Sequence, residues 1–432
     1  MDEIINKTIN ERTNETICVI GLGYVGLPLA CLSSKHFEVF GYDIDEDKIN
    51  KINNHICPLN DSYLNKVFKT HSIKATNNPE VISQSDIILI CVPTPIDENH
   101  KPNLIPLKSA AELVSKNLKK GQLIIVESTI YPGTTEEVVI PILEQSGLKA
   151  GIDFGVAYCP ERIDPGNEKW VLENISRVLS ALNEENALQA KKFYSTFINA
   201  EIKILKSLKS AEAVKILENT FRDINIAFIN EMAKSFNSLG IDLIEVIEGA
   251  SSKPFGFMPF YPGPGVGGHC IPVDPYYLIE RAKANNFDHQ FLKLAREINL
   301  SMPNYVVNIL QKELNKLSVP IENSKIGVYG LAYKKNVDDI RESPSLKIIQ
   351  LIKELGAEVK VYDPFVKSES DFNNLNEFLA HIDHLIIATD HDEILKSNPQ
   401  NFEEKNIKLI IDCKSNLDQK DFNSTICKGI GK

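Results

Sequence analysis

The chain has 432 residues, a formal net charge of −11 at neutral pH, 43% apolar residues and eight scattered cysteines. The length exceeds what one hydrophobic core supports, so two or three domains are expected. The acidic balance without a basic block argues against nucleic-acid binding, no apolar run is long enough for a bilayer, and cysteines without a Cys-x-x-Cys pair offer neither a disulfide framework nor a metal site.

Met1 to Thr16 is polar and lacks the apolar core of a signal peptide, so a cytoplasmic protein is expected. Thr16 to Ile20 reads as a strand, Gly21-Leu-Gly-Tyr-Val-Gly26 follows at once, and Leu27 to Ser34 reads as a helix. The next strand, Glu38 to Tyr42, ends at Asp43, 22 residues after Gly21. In this context the glycines have distinct tasks. Gly21 permits the tight turn, Gly23 lets backbone approach a pyrophosphate at the helix N-terminus, and Gly26 lets helix and strand pack closely. Asp43 is placed to accept hydrogen bonds from a ribose, and it would repel the extra phosphate of NADP. The bland reading is a tight strand–helix turn with a surface aspartate.

Further strands end in polar or proline-bearing turns. Asp86 to Val92 runs into Pro93-Thr94-Pro95, Leu123 to Val126 into Glu127-Ser128-Thr129, and Gly155 to Tyr158 into Cys159-Pro160-Glu161-Arg162. Ligands of a doubly wound sheet sit beyond the carboxyl ends of its strands, where Thr94, Ser128, Thr129 and Glu161 fall. Thr134 to Glu137 reads as a cap for the next helix, with acids suited to its N-terminal dipole. Leu208 to Leu239 is one long helix, with Glu212, Lys215, Asn219, Arg222 and Asp223 on a polar stripe. That stripe is either a solvated face or a half-buried Lys–Asn pair.

Residues 262–275 are too rich in proline and glycine for regular structure and read as a loop that delivers Cys270, with Asp274 four residues on. Glycines would let its backbone approach a ligand, and a thiol followed by a carboxylate suits a nucleophile held against a bound molecule. The alternative is a loop over an inert core cysteine. Beyond it, Asp288 to Leu317 reads as helical with a break near Pro303. A second alternation follows, with strands at Lys325–Tyr329, Ala357–Tyr362, His384–Ala388 and Ile407–Asp412 and a helix at Ser345–Leu355. Only Gly327 and Gly330 there mark a nucleotide loop, with Lys334 and Arg341 available for phosphate, so this domain does not read as a true repeat of the first.

The segments GLGYVGLP, CVPTP, ESTIYPGTT, YCPERI, AEAVKILENTFRDINIAFINE, GPGVGGHCIPVDPYYL and YKKNVDDIRESPS resemble, in order, those of the UDP-glucose/GDP-mannose dehydrogenase family, from Gly21 to Asp412. The block GGHC, with His269 before Cys270, and the run KPFGFMPFYPGPG are most similar to the family's UDP-N-acetylhexosamine branch, UDP-N-acetylglucosamine being the first choice of substrate. The resemblance implies an α/β fold of two Rossmann-like doubly wound domains joined by a long central helix. It implies an NAD-binding domain over residues 1–206, a central helical dimerisation region with the cysteine loop over 207–318, and a UDP-sugar-binding domain over 319–432. It further implies a homodimer or larger homo-oligomer, no membrane partner, and oxidation of a sugar CH2OH to a carboxylate with two NAD+ in turn.

By the same resemblance Cys270 is the nucleophile, forming a thiohemiacetal and then a thioester, and Lys215 and Asn219 stabilise the charged tetrahedral stages. Asp274 is the acid–base group near the thiol, Glu161 serves thioester hydrolysis, and Thr129 lies near the transferred hydride. NAD contacts carry over to Gly21, Gly23, Tyr24, Val25, Gly26, Asp43, Lys48, Thr94, Ser128, Thr129 and Arg341. UDP-sugar contacts carry over to Glu161, Arg162, Lys215, Asn219, Tyr261, Gly263, Gly265, Gly267 and Lys334, and no metal is implied. Arg162 and Tyr261 differ from what glucose-type members commonly carry. UDP-N-acetylmannosamine, UDP-N-acetylgalactosamine and UDP-glucose remain alternative substrates. A β-hydroxyacid dehydrogenase of the 6-phosphogluconate type would need neither Cys270 nor residues 325–415, and a non-catalytic NAD-binding regulator would need no nucleophile.

Overall fold

A computed structural model of the chain describes residues 14–59, 62–69, 73–163, 167 and 169–432. The polar opening stretch therefore lies almost wholly outside the described residues. The chain divides into two compact units, one formed by residues 1–218 and 276–287, the other by 219–275 and 288–432.

The first unit is built on an eight-stranded sheet of order β3-β2-β1-β4-β5-β6-β7-β8. Its strands are β1 Thr16–Ile20, β2 Glu38–Tyr42, β3 Lys74–Thr76, β4 Ile87–Ile90, β5 Leu123–Val126, β6 Gly155–Tyr158, β7 Arg177–Ala181 and β8 Ile202–Ile204. Strands β4, β5 and β6 are buried at every position, as strands covered on both faces require. All pairings are parallel except β6 with β7, where Tyr158 faces Ser180. The sequence order reverses at β1, between β2 and β4, the switch point where such sheets bind ligands.

The second unit carries a five-stranded parallel sheet of order β10-β9-β11-β12-β13, from β9 Lys325–Tyr329, β10 Glu358–Tyr362, β11 His384–Ile387, β12 Leu409–Asp412 and β13 Ile426–Gly429. The helices Gln290–Leu300 and Met302–Lys316 meet at Ser301, and Pro303 opens the second of them, where its missing N–H costs nothing. The long helix Leu208–Leu239 has the bounds its uninterrupted pattern predicts.

The turn after β9 shares more with the turn after β1 than the sequence discloses. Gly21 and Gly330 both have positive φ, of 92° and 88°, and each donates its N–H to the last residue of the next strand, Tyr42 and Tyr362. A carboxylate at that strand's end then accepts from the turn. Asp43 takes Leu22 N–H at 2.8 Å, and Asp363 takes Leu331 and Ala332 N–H at 2.7 and 2.9 Å. Asp363 also accepts from Phe365 and Val366 N–H and from His391. His391 Nδ1 accepts from Asn336 N–H, so Nε2 carries the hydrogen that reaches Asp363.

Burial pushes the Asp363 carboxyl up, but the His391 bond and the backbone N–H groups outweigh it and hold it below the usual carboxylate range. A depressed carboxyl contributes stability above its unfolded value that is lost as pH falls through the folded one. Asp363→Asn should lower the unfolding free energy by about 1–3 kcal/mol at neutral pH, and the deficit should shrink towards acid pH in urea titrations.

Candidate active site

The Gly-rich turn after β1 is shaped by two close approaches. A Cβ on Gly26 would lie 1.9 Å from Gly21 O, and one on Gly21 would lie 2.8 Å from Cys91 O. Around Gly23 nothing lies within 4 Å of where a Cβ would stand, so its backbone faces open space. This arrangement fits a dinucleotide, because the exposed turn leaves room for pyrophosphate at the N-terminus of the helix Gly26–Ser33. Asp43 closes the site on the β2 side. Lys48 Nζ lies 2.9 Å from its Oδ2, and Asp45 N–H donates to Oδ1. Burial raises the Asp43 carboxyl, yet these hydrogen bonds and the Lys48 charge hold it below its ordinary value, so it is an acceptor at neutral pH.

Thr94, Ser128 and Thr129 are tied into one cluster beyond β4 and β5. Thr94 Oγ1 donates to Thr129 O at 2.7 Å and Ser128 Oγ to Val92 O at 2.7 Å. The buried Tyr277 hydroxyl donates to Thr94 O at 2.6 Å, a support that sequence reasoning missed. Glu161, just past β6, accepts from Arg162 and Ile163 N–H at 2.6 and 2.7 Å and from the Arg177 side chain. Arg162 itself forks onto Glu218 and reaches Ser176 O, so its charge is balanced within the first unit.

One sequence expectation is corrected here and one open alternative is decided. Thr134 does not cap the helical turn Thr135–Val139, because its hydroxyl donates to Tyr131 O. The carboxylate of Glu212, fully buried on the long helix, accepts from Gly133 and Thr135 N–H instead, and Glu137 pairs with Arg281. The polar stripe of the long helix is not a solvated face. Glu212, Lys215 and Asp223 are buried, Asn219 is half-buried and Arg222 is exposed, while the apolar Leu217, Phe221 and Phe228 are 66%, 47% and 54% exposed.

In the second unit the Pro/Gly stretch is a loop up to Val273. Asp274 and Pro275 already open the helix Asp274–Lys283, where proline in the first turn is tolerated. Its glycines are explained by the protein's own packing. A Cβ on Gly267 would lie 2.6 Å from Tyr333 Cβ, and one on Gly268, at φ 88°, would lie 2.8 Å from the Tyr333 ring. Gly268 N–H donates to Arg341 O, and Gly263 N–H to Asn230 Oδ1. Gly265, at φ 134°, lies close to Pro344. Arg341 forks onto Asp339, and His269 Nδ1 stands 3.9 Å from the same carboxylate. Lys334 is half-buried and Tyr261 exposed.

Cys270 differs from most other thiols of the chain. Burial pushes Cys18, Cys31, Cys159 and Cys427 up to about 12 and Cys91 and Cys413 well above the usual thiol range. Such thiols are inert. Cys270 is half-exposed, as is Cys57, and Cys270 O anchors the turn by accepting from Val273 and Asp274 N–H. Asp274, 2% exposed, accepts a hydrogen bond from Asn219 Nδ2. A partly exposed thiol thus stands four residues before a carboxylate held by an amide.

Models of the UDP-glucose/GDP-mannose dehydrogenase family match three parts of the chain: its NAD binding domain over residues 15–198, its central domain over 209–301 and its UDP binding domain over 327–419. The chain belongs to this family. It is an NAD-dependent UDP-sugar dehydrogenase. Among its relatives, the UDP-N-acetyl-D-mannosamine dehydrogenase of Pyrococcus horikoshii is 38% identical over 96% of this chain and 99% of its own. The UDP-N-acetyl-D-glucosamine 6-dehydrogenase of Pseudomonas aeruginosa is 36% identical over 93% and 97%. The solved structure of UDP-D-ManNAc dehydrogenase from Pyrococcus horikoshii superposes with a TM-score of 0.90 at 36% identity, covering 96% of this chain and 99% of that one. No described helix is long and apolar enough to cross a membrane.

The Asp43 geometry carries a prediction. Asp43→Asn should raise the KM for NAD+ by roughly 10- to 100-fold, the equivalent of one charge-assisted hydrogen bond of about 1.5–3 kcal/mol, and should narrow the preference over NADP+, read from initial rates with each cofactor.

Proposed function

We propose that this dehydrogenase oxidises C6 of a UDP-N-acetylhexosamine, with UDP-N-acetylglucosamine the first choice, to the uronic acid through a covalent Cys270 thioester, for synthesis of a surface polysaccharide. The N-acetylhexosamine reading is supported by the names of the relatives, which cover both the gluco and manno epimers, and by His269 in the GGHC block. The covalent reading rests on the half-exposed Cys270 followed by the Asn219-held Asp274.

NAD+ supplies the acceptor for the hydride in each half-reaction. Thr129 borders that acceptor. The Cys270 sulfur adds to the aldehyde carbon, and the hydroxyl so formed passes its proton to a neighbouring base, a role this reading gives to Asp274. Lys215 and Asn219 then stabilise the oxygen charge of the tetrahedral stages. Once the second oxidation has made the thioester, water adds to its carbonyl with Glu161 taking the proton. The C–S bond breaks, and its electron pair returns to Cys270. Sulfur suits the task because it leaves readily and keeps the half-oxidised sugar tethered. Gly263, Gly265 and Gly267, with Tyr261 and Lys334, bind the nucleotide sugar in this reading.

We also propose a homodimer. Phe221 and Phe228 of the long helix line a groove with Phe257, Met258 and Phe260, and apolar groups left this exposed mark an interaction surface. A self-complementary patch around a two-fold axis would cover it. Phe228→Glu should convert the protein to a monomer by light scattering with its circular dichroism unchanged. A monomeric parent would refute the dimer.

The decisive experiment counts NADH per sugar consumed for each UDP-sugar. Two NADH per UDP-N-acetylglucosamine, with UDP-glucose nearly inert, is the expected outcome. Two from another epimer would move only the specificity, and one NADH per sugar would mean the aldehyde is released. Cys270→Ala should lower the rate of acid formation by roughly 10³-fold or more, and a variant with the parental rate would mean a cysteine-free route.

A further inference from the structure

Beneath Glu161 lies a charged cluster that none of the roles above uses. Glu127 follows β5 and Arg177 opens β7. Strand β7 is antiparallel to β6, with Tyr158 opposite Ser180. Extending that register by three residues sets Glu161 opposite Arg177, so the reversed strand brings its first residue to the carboxyl end of the sheet. The three charged residues are nearly devoid of solvent: Arg177 is 2%, Glu127 1% and Glu161 6% exposed.

Arg177 Nη1 lies 2.9 and 3.1 Å from the two Glu127 oxygens, and Nη2 donates to Glu161 Oε2. The buried Tyr194 hydroxyl donates to Glu127 Oε1, and the Tyr194 ring lies 4.9 Å from the guanidinium carbon. Glu161 Oε1 accepts the two backbone N–H groups of Arg162 and Ile163. Every hydrogen bond to Glu161 among the described residues comes from a donor, and together they hold the carboxylate in one orientation.

The charges do not balance. One guanidinium serves two buried carboxylates, and with both ionised the cluster buries an excess negative charge, which costs stability. Burial, with the neighbouring Glu161 charge, pushes the Glu127 carboxyl up to about 7 against the pull of Arg177. The ionisable groups facing Glu127 are Arg177 from β7, Glu161 and Cys159 beyond β6, Cys91 beyond β4 and Tyr194 from the helix Glu184–Ser195.

We propose that Arg177 and Glu127 are positioning residues for Glu161, the first fixing its carboxylate as an oriented anion and the second offsetting the Arg177 charge so that Glu161 still takes a proton from water. This rests on the reading in which Glu161 assists hydrolysis of the Cys270 thioester. A carboxylate facing an unshared guanidinium is a poor base. Glu127 shares the Arg177 guanidinium with Glu161 through Nη1.

The test compares Glu127→Gln, Arg177→Lys and Glu161→Gln enzymes, each first checked by circular dichroism. The readouts are kcat and KM against pH with UDP-sugar and NAD+, and the acyl adduct on Cys270 by intact mass after acid quench. Glu127→Gln keeps an acceptor for Tyr194 and Arg177 but removes the charge. It should lower kcat about 10- to 100-fold, the range for losing a group that orients a catalytic ligand. KM should be unchanged and the adduct should accumulate. Because Glu161 then faces all of the Arg177 charge, the acid limb of kcat should move to lower pH, a shift that a merely structural role would not produce. Arg177→Lys, if folded, should also accumulate adduct. Parental kcat and pH profile in Glu127→Gln, with adduct accumulating in Glu161→Gln, would overturn this inference and leave the hydrolysis role intact. Parental turnover in Glu161→Gln without adduct would overturn both.

Discussion

In each sheet the turn after the leading strand depends on a carboxylate at the end of the next. That turn points N–H groups away from any strand partner, and a buried N–H without an acceptor is costly. Asp43 and Asp363 answer the same need at Leu22 and Leu331. They differ in what else they hold. Asp363, fully buried, is saturated by four backbone donors and His391. Asp43 keeps Lys48 as its charge partner and has a single backbone donor on Oδ1, beside a Gly23 that faces open space. One topology thus yields a turn able to receive a ligand and a turn committed to its own support.

The long helix inverts the usual amphipathic arrangement. Glu212, Lys215 and Asp223 are turned inward, where Glu212 satisfies the N–H groups of the Gly133 turn and Asp223 pairs with Arg296 at 2.6 Å. Buried charges survive only when paired or hydrogen-bonded, and each of these carboxylates is. Burial nevertheless raises both carboxyls above their ordinary range, the bonds offsetting only part of the effect. Ile216 and Ile229 are buried as well, but Leu217, Phe221 and Phe228 are left exposed, so the same helix carries buried polar groups on one side and an exposed hydrophobic strip on another.

Burial also sorts the cysteines. Most of the eight lie in strands, helices or strand ends of the cores, where a thiolate is too costly to form. Cys270 escapes because the Pro/Gly loop is held by Asn230, Arg341 and Tyr333 rather than wrapped in apolar side chains. The glycines allow that close packing of backbone on side chain.

The sequence by itself determined the alternation of strands and helices, the uninterrupted helix from Leu208 to Leu239 and the Gly21–Asp43 arrangement, because each is written in local periodicity, glycine spacing or the absence of helix breakers. It also carried the family resemblance in ordered motifs, which the match over residues 15–198, 209–301 and 327–419 bears out. It was silent about Arg177 and Tyr194, since a lone arginine at a strand start and a tyrosine on a helix carry no spacing signal. Only the antiparallel register of β7 and the packing of the helix Glu184–Ser195 bring them to Glu127 and Glu161. Likewise, which face of the long helix is buried is invisible in its pattern, because polar and apolar stripes alternate with the same period and only tertiary neighbours decide which is covered.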